Sequence, residues 1–77
     1  MRGLAMTDTI SIELNGVPTA LAPGLTLADL LMREGLLERR IAVEHNGEIV
    51  PRSGYASIRL AAGDRLEVVH AIGGGAT

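Results

Sequence analysis

Apolar and polar residues alternate along several short stretches of the chain, and this period of two is typical of half-buried strands. Residues 9–14 place three apolar side chains on one face, and Asn15-Gly16 then favours a tight hairpin into residues 17–21. Pro18 has no backbone N–H, so the second strand is expected at a sheet edge. The pattern therefore begins with an edge hairpin.

The next segment has helical periodicity. Thr26 followed by Asp29 is typical of a helix start, because each side chain can accept a hydrogen bond from the backbone N–H of the other residue. Gly35 suits the C-terminal cap. The apolar residues between these signals recur at helical spacing and are expected to face the sheet: Leu27, Leu30 and Leu31.

Further strands are predicted after the helix. Residues 41–45 and 48–50 flank a second turn at Asn46-Gly47, whereas residues 52–60 show no periodicity and are expected to be irregular. After a turn at Gly63-Asp64, residues 65–72 read as a last strand that runs directly into glycines. Alternation in that strand points three side chains toward the helix: Leu66, Val68 and His70.

The order of these elements predicts one helix packed across a mixed sheet of four to five strands, an α+β unit with the β-grasp, ubiquitin-like arrangement. In that arrangement the last strand lies in the middle of the sheet beside the first. We assign residues 1–8 to a disordered leader, with Met1 or Met6 as the native start, residues 9–72 to the domain, and residues 73–77 to a flexible tail. A chain of 77 residues holds one such core.

Composition excludes several classes of function. The net charge is -2, and basic residues do not cluster beyond Arg39-Arg40, so neither nucleic acid nor an anionic membrane is an expected partner. There is no cysteine, hence no disulfide, no thiolate nucleophile and no thiolate metal site. No apolar run is long enough to span a membrane, and a cytoplasmic protein is expected.

The chain offers little for catalysis or metal binding. His45 and His70 lack a cysteine or a carboxylate at ligand spacing, so we assign neither a metal site nor a catalytic residue. Asp64 is interpreted as a turn former and Tyr55, the single aromatic residue, as packing within its loop.

Several segments together resemble the ThiS family, the ubiquitin-like sulfur carriers of thiamine biosynthesis. They include the Asn15-Gly16 hairpin, the helix start at residues 26–31, and residues 43–52, which end on Val-Pro-Arg. Residues 63–69 and the glycine tail at residues 73–75 complete the resemblance. It covers about residues 9 to 75, and its motifs are specific in combination rather than singly.

The resemblance implies that the protein is a substrate and carrier rather than an enzyme. A ThiF-like adenylating enzyme would use ATP to activate the C-terminal glycine, and a sulfur donor protein would supply the sulfur of a thiocarboxylate. A ThiG-like thiazole synthase would then accept that sulfur. The carrier itself would bind no cofactor. By this resemblance the reactive terminus is Gly75 or Gly74, and Ile72 and Gly73 are the residues threaded into the partner.

A docking surface is also expected beside the tail. Alternation places Val69 and Ala71 on the sheet face away from the helix, near Ala42, where they form an apolar patch for partner enzymes as in ubiquitin-like modifiers. Arg52 is a further candidate, either for an acidic surface of a partner or for a loop contact within the domain.

The tail departs from the family pattern, which ends on Gly-Gly. Here Ala76 and Thr77 follow three glycines, so these two residues are removed, are not native, or the chain is not a carrier. Two other classes of function remain open: a carrier of the same fold for molybdopterin synthesis or tRNA thiolation, and a β-grasp interaction module that transfers nothing.

Overall fold

A computed structural model describes residues 8–71, within which five strands and one α-helix are formed. The elements in chain order are β1 (Ile10–Leu14), β2 (Val17–Leu21), α1 (Leu27–Arg33), β3 (Ile41–His45), β4 (Glu48–Val50), a turn of 3₁₀ helix (Arg52–Gly54) and β5 (Arg65–His70). The predicted leader apart from Asp8, the last residue of the predicted domain, Ile72, and the predicted tail at residues 73–77 lie outside the described residues.

The strands form one mixed sheet in the order β2-β1-β5-β3-β4. β5 lies in the middle, parallel to β1 and antiparallel to β3, while β2 lies at the edge as Pro18 predicts. The β-grasp prediction is therefore confirmed, with five strands rather than four.

Both predicted Asn-Gly turns are present, and their backbone conformations explain the residue choice. Asn15 and Gly16 have φ of 53° and 83°, and Asn46 and Gly47 have φ of 52° and 89°. Positive φ at both central residues is the type I′ geometry, whose twist matches that of antiparallel strands. Asparagine and glycine tolerate this conformation better than other residues do.

The start of α1 has a partner for each of its first backbone N–H groups. Thr26 and Asp29 form the predicted capping box, in which each side chain accepts from the other's N–H. The two residues between them, Leu27 and Ala28, donate their N–H groups to carbonyls of the segment that follows β4: those of Ile58 and Tyr55 respectively. Residues 52–60 are thus irregular, as expected, but they are bonded firmly to the helix end.

The other end of α1 closes with a Schellman motif. Gly35 has φ of 74° and donates to Met32, and the N–H of Leu36 reaches the carbonyl of Leu31. The predicted C-terminal cap is confirmed.

An aliphatic core fills the space between α1 and one face of the sheet. Leu27, Leu30 and Leu31 of α1 are fully buried, as predicted. Tyr55 and Leu60 of the irregular segment join this core, although neither residue belongs to a periodic pattern in the sequence. The other buried members come from the strands: Ile12, Leu21, Val43, Val50, Leu66 and Val68.

β5 ends at His70, so Ala71 lies outside the strand that was predicted over residues 65–72, and Ile72 lies outside the described residues. Its last residue, His70, pairs with Ile41, the first residue of β3, so no further strand residue is available on that side. One more backbone bond follows, from the N–H of Ala71 to the carbonyl of Arg40 at 2.9 Å. His70, expected to point toward the helix, lies beyond the core and is exposed.

On the other side of β5, an asparagine side chain continues the ladder after β1 ends. The backbone N–H of Asn15 donates to Leu66, and its side-chain Oδ1 accepts the N–H of Val68 at 2.8 Å. Val68 is a core residue and its N–H is partly buried. Without the Asn15 side chain, this N–H would have no hydrogen-bond partner there. Asn15 therefore both forms the hairpin turn and holds the central strand.

Replacing Asn15 separates these two roles. The substitution N15G keeps the positive φ but removes the acceptor for Val68, and we expect it to lower the free energy of unfolding by about 1–2 kcal/mol. N15D, which retains an acceptor oxygen and tolerates the same φ, is the matched control and should lose less. Urea denaturation of both variants measures the difference, and equal losses would contradict this role of the side chain.

Candidate functional site

The sheet face opposite α1 is the surface on which the predicted docking residues lie. It is lined by residues that alternate with the buried ones, and all of them are exposed: Glu13, Ala42, Glu44, Ile49, Arg65, Glu67 and Val69. We name this surface the open face. Glu13 lies on β1, and the other residues lie on three strands that are side by side in the sheet: β5, β3 and β4.

The structure brings the predicted docking residues together. Val69 and Ala42 are direct cross-strand partners, and Val69 is 56% exposed. Ala71, also exposed, follows one residue after the end of β5. The core lies on the other face of the sheet, so folding does not require an apolar side chain at the position of Val69.

Ile49 extends this surface and was not predicted. It pairs with Glu44 in the adjacent strand and is 66% exposed, more than any other large apolar residue among those described. Because Glu44 lies two residues from Ala42, Ile49 is a diagonal neighbour of Ala42 on the same face. The apolar patch of the open face therefore comprises Ala42, Ile49, Val69 and Ala71. The signal available in the sequence was the alternation of Glu48, Ile49 and Val50, in which Val50 takes the buried position.

The predicted reactive and threading residues, Ile72, Gly73, Gly74 and Gly75, lie outside the described residues. Their point of attachment is described. Ala71 is bonded through its N–H to Arg40, and the strand before it is paired on both sides. The tail thus starts at the end of the central strand.

Arg52 makes the contact within the domain that was one of its two predicted roles. Its guanidinium donates to the carbonyl oxygens of Leu37 and Arg39 at 3.1 and 3.2 Å. These bonds hold the loop between α1 and β3. The residue after Arg39 in this loop is Arg40, whose carbonyl accepts the backbone N–H of Ala71. Arg52 is exposed, and its contact with a partner stays a prediction.

The structure also forms a polar cluster that sequence reasoning missed. Nε2 of His45 lies 2.9 Å from Oδ2 of Asp64, and the Asn46 amide donates to Oδ1 of Asp64 at 3.3 Å. Asp64 also accepts the N–H of Ala61, which is the local turn bond expected of it. The His45 and Asp64 side chains are 23% and 13% exposed, so the pair is partly buried. The residues are 19 apart in sequence, and only the pairing of β3 with β5 brings them together.

This cluster has an electrostatic effect on Asp64. Burial acts to raise the pKa of its carboxyl group, but hydrogen bonds from His45, from the Ala61 N–H and from Asn46 outweigh burial and hold that pKa below its ordinary value. With one histidine and one carboxylate, the cluster lacks the ligands of a metal site, and among residues 8–71 no group of three potential metal ligands occurs.

Over the described part of the chain, no helix has the length and apolar character needed to cross a membrane.

The chain matches a known family in sequence and a solved structure in fold. The model of the ThiS family matches residues 12–75. A solved structure with the same fold is the thiamine biosynthesis protein ThiS from Geobacter metallireducens, with a TM-score of 0.75 and 28% identity, covering 86% of this chain and all of that one.

Several curated proteins are similar in sequence, among them a sulfur carrier and a thiazole synthase. The sulfur carrier protein ThiS of Bacillus subtilis is 38% identical over 50 residues, which is 65% of this chain and 76% of the relative. The thiazole synthase of Magnetococcus marinus is 44% identical over 66 residues, or 86% of this chain. The chain spans only 20% of the length of that synthase.

The Asp64 cluster predicts an acid-dependent stability. Since folding lowers the pKa of Asp64 below its ordinary 3.8, the stabilisation is present above pH 3.8 and is lost as the pH falls through the folded-state pKa. We expect D64N to lower the free energy of unfolding by about 1–2 kcal/mol at pH 7 and to reduce the further loss between pH 7 and pH 3.

Urea denaturation at the two pH values measures both effects. E38Q, which removes an exposed carboxyl group in the loop after α1, is the control for a simple change of net charge. A loss between pH 7 and pH 3 as large in D64N as in the unaltered protein would contradict the prediction.

Proposed function

The chain belongs to the ThiS family, and we propose that it acts as a sulfur carrier in thiamine biosynthesis, with a glycine of its tail as the group that is activated. The observation that carries this proposal is the extent of the family match, which runs from Ile12 in β1 to Gly75, the third glycine of the tail. The names of the similar proteins, which include a sulfur carrier and a thiamine biosynthesis protein, support the same function.

In the proposed reaction the protein is a substrate. The carboxylate of the terminal glycine attacks the α-phosphorus of ATP on a ThiF-like adenylating enzyme, and pyrophosphate leaves. Hydrosulfide, released by a donor protein, then attacks the acyl carbon of the adenylate and displaces AMP, which yields a thiocarboxylate without any change of oxidation state. ATP is consumed by the partner, and the carrier needs no bound cofactor.

Glycine suits this role for physical reasons. A carboxylate that must enter the active site of another protein needs a narrow chain without side chains, and glycine allows close approach in any backbone conformation. Extended, residues 72–75 reach roughly 13 Å. Anchoring at Ala71 to the paired central strand gives this reach a fixed origin.

The proposed reactive carboxylate is that of Gly75, with Gly74 as the alternative. Ala76 and Thr77 follow Gly75. An internal peptide carbonyl has no carboxylate to adenylate, so the proposal requires a cleavage after Gly75 or Gly74, unless Ala76 and Thr77 are not native.

The proposed acceptor is a ThiG-like thiazole synthase. Two relatives that carry this name, from Magnetococcus marinus and Paramagnetospirillum magneticum, contain a segment similar to this chain as 20% of their length. A carrier-like segment and a much longer remainder are thus joined in one polypeptide named for the synthase. That arrangement supports a direct interaction between carrier and synthase when they are separate chains.

The apolar patch of the open face is the proposed docking surface for both enzymes. It lies beside the start of the tail, so a partner that binds it also receives the tail. Exposed apolar contact area surrounded by polar residues is typical of interfaces.

Intact-mass spectrometry of the protein from its host tests the carrier function. We expect a species that ends at Gly75 or Gly74, and a fraction of it heavier by the mass difference between sulfur and oxygen. Detection of the full-length chain alone, in cells that are making thiamine, would contradict the proposal.

A substitution in the apolar patch tests docking. V69D should weaken binding to the adenylating enzyme and to the thiazole synthase by roughly tenfold or more, because it puts a charge in an apolar contact. The domain should stay folded, since Val69 lies outside the core.

V17D is the matched control, because Val17 is 60% exposed but lies on the edge strand β2. Titration calorimetry measures affinity, and circular dichroism checks the fold. Equal affinities of V69D and V17D for both enzymes would rule out this docking surface.

A further inference from the structure

Two glutamates lie directly opposite each other on the open face. Glu44 of β3 and Glu67 of β5 are cross-strand partners, and both are exposed. Within residues 8–71 the ion pairs that form are Arg33 with Glu34 and His45 with Asp64, so neither of these two glutamates is paired at contact distance.

This arrangement is unfavourable for the isolated domain. Like charges directly opposite on adjacent strands destabilise a sheet, whereas opposite charges at the same positions stabilise it. The open face also carries Arg65, which is the register partner of Glu13 in the pairing of β1 with β5 and so lies beside a third carboxylate. One arginine among three glutamates leaves the centre of the open face negative.

The two glutamates border a shallow depression of about 160 Å³. Its remaining lining residues are Arg65 and Gly47, and the glycine contributes no side chain that would fill it. Two carboxylates against the one guanidinium of Arg65 leave the depression net negative, and its size and open mouth allow it to receive the end of one long basic side chain. A guanidinium can bond two carboxylate groups at once.

The depression adjoins the apolar patch. Glu67 lies two residues before Val69 on β5, and Glu44 lies two residues after Ala42 on β3. Two residues along a strand correspond to about 7 Å. A protein surface that covers Val69 and Ala42 therefore also covers the depression.

We infer that Glu44 and Glu67 form a receptor for an arginine or lysine side chain of a protein partner that docks on the apolar patch. This inference rests on the proposed carrier function, since it names the chemistry of the partner surface. The partner presents an apolar contact for Val69 and, about 7 Å away along the strand direction, a basic side chain that neutralises the glutamate pair. The unfavourable pairing in the free domain is relieved in the complex, and the charge also speeds encounter with a basic surface.

The test compares charge-neutral variants of the pair with a matched control. E44Q/E67Q removes both charges with little change in shape, and E38Q/E48Q removes two exposed carboxylates that lie off the open face. Affinity for purified thiazole synthase and for purified adenylating enzyme is measured at low and high salt, and urea denaturation follows the stability of each variant.

We expect E44Q/E67Q to bind at least one of the two enzymes roughly tenfold more weakly, as for loss of a charged hydrogen bond. Its affinity should depend less on salt. Its denaturation midpoint should equal or exceed that of the unaltered protein, because the repulsion is gone. Binding by E38Q/E48Q should be nearly unchanged.

Unaltered affinity and salt dependence of E44Q/E67Q for both enzymes would overturn the inference and leave the carrier function standing. A weaker affinity that comes with a lower denaturation midpoint would also overturn it, because damage to the fold would then explain the loss. If the unaltered protein binds neither enzyme, the proposed function fails and the receptor fails with it.

Discussion

The structure depends on the pairing of β5 along both of its sides. As the central strand it is bonded to β1 in parallel and to β3 in antiparallel orientation, and it contributes Leu66 and Val68 to the core. A parallel contact between the first and last strands joins distant parts of the chain, so its loop-closure entropy must be offset by many bonds at once. The asparagine turns help here: Asn15 and Asn46 each accept a backbone N–H of β5 on opposite sides of the strand.

The two faces of the sheet divide the work of folding from that of recognition. α1 and the irregular segment cover one face and enclose the aliphatic core. The other face keeps apolar and acidic side chains in solvent, which contributes little to folding or opposes it. Local choices that conflict with stability are expected at functional surfaces, and here they lie on β5, which leads to the tail, and on its neighbours β3 and β4.

Much of this architecture was predictable because its signals are local. Asn15-Gly16 and Asn46-Gly47 fix turn geometry within two residues, Thr26 and Asp29 fix the helix start within one turn, and Pro18 marks an edge. Tyr55 was expected to pack within its loop, but its place in the main core, and that of Leu60, were not predictable, since the segment that carries them has no period and is held by bonds to α1. The His45–Asp64 pair and the facing glutamates depend on the register of β3 with β5, which no short pattern in the sequence specifies.

The position of Arg52 has a mechanical consequence. Its guanidinium holds the loop that carries Arg40. The carbonyl of Arg40 accepts the N–H of Ala71, the last described residue before the tail. A pull applied through the tail along the axis of β5 would load the hydrogen bonds to β1, β3 and the Arg40 loop in shear, so that they resist together instead of opening one after another. An enzyme that draws the tail inward would meet a domain that resists being peeled open, so the force would extend the tail and leave the sheet intact.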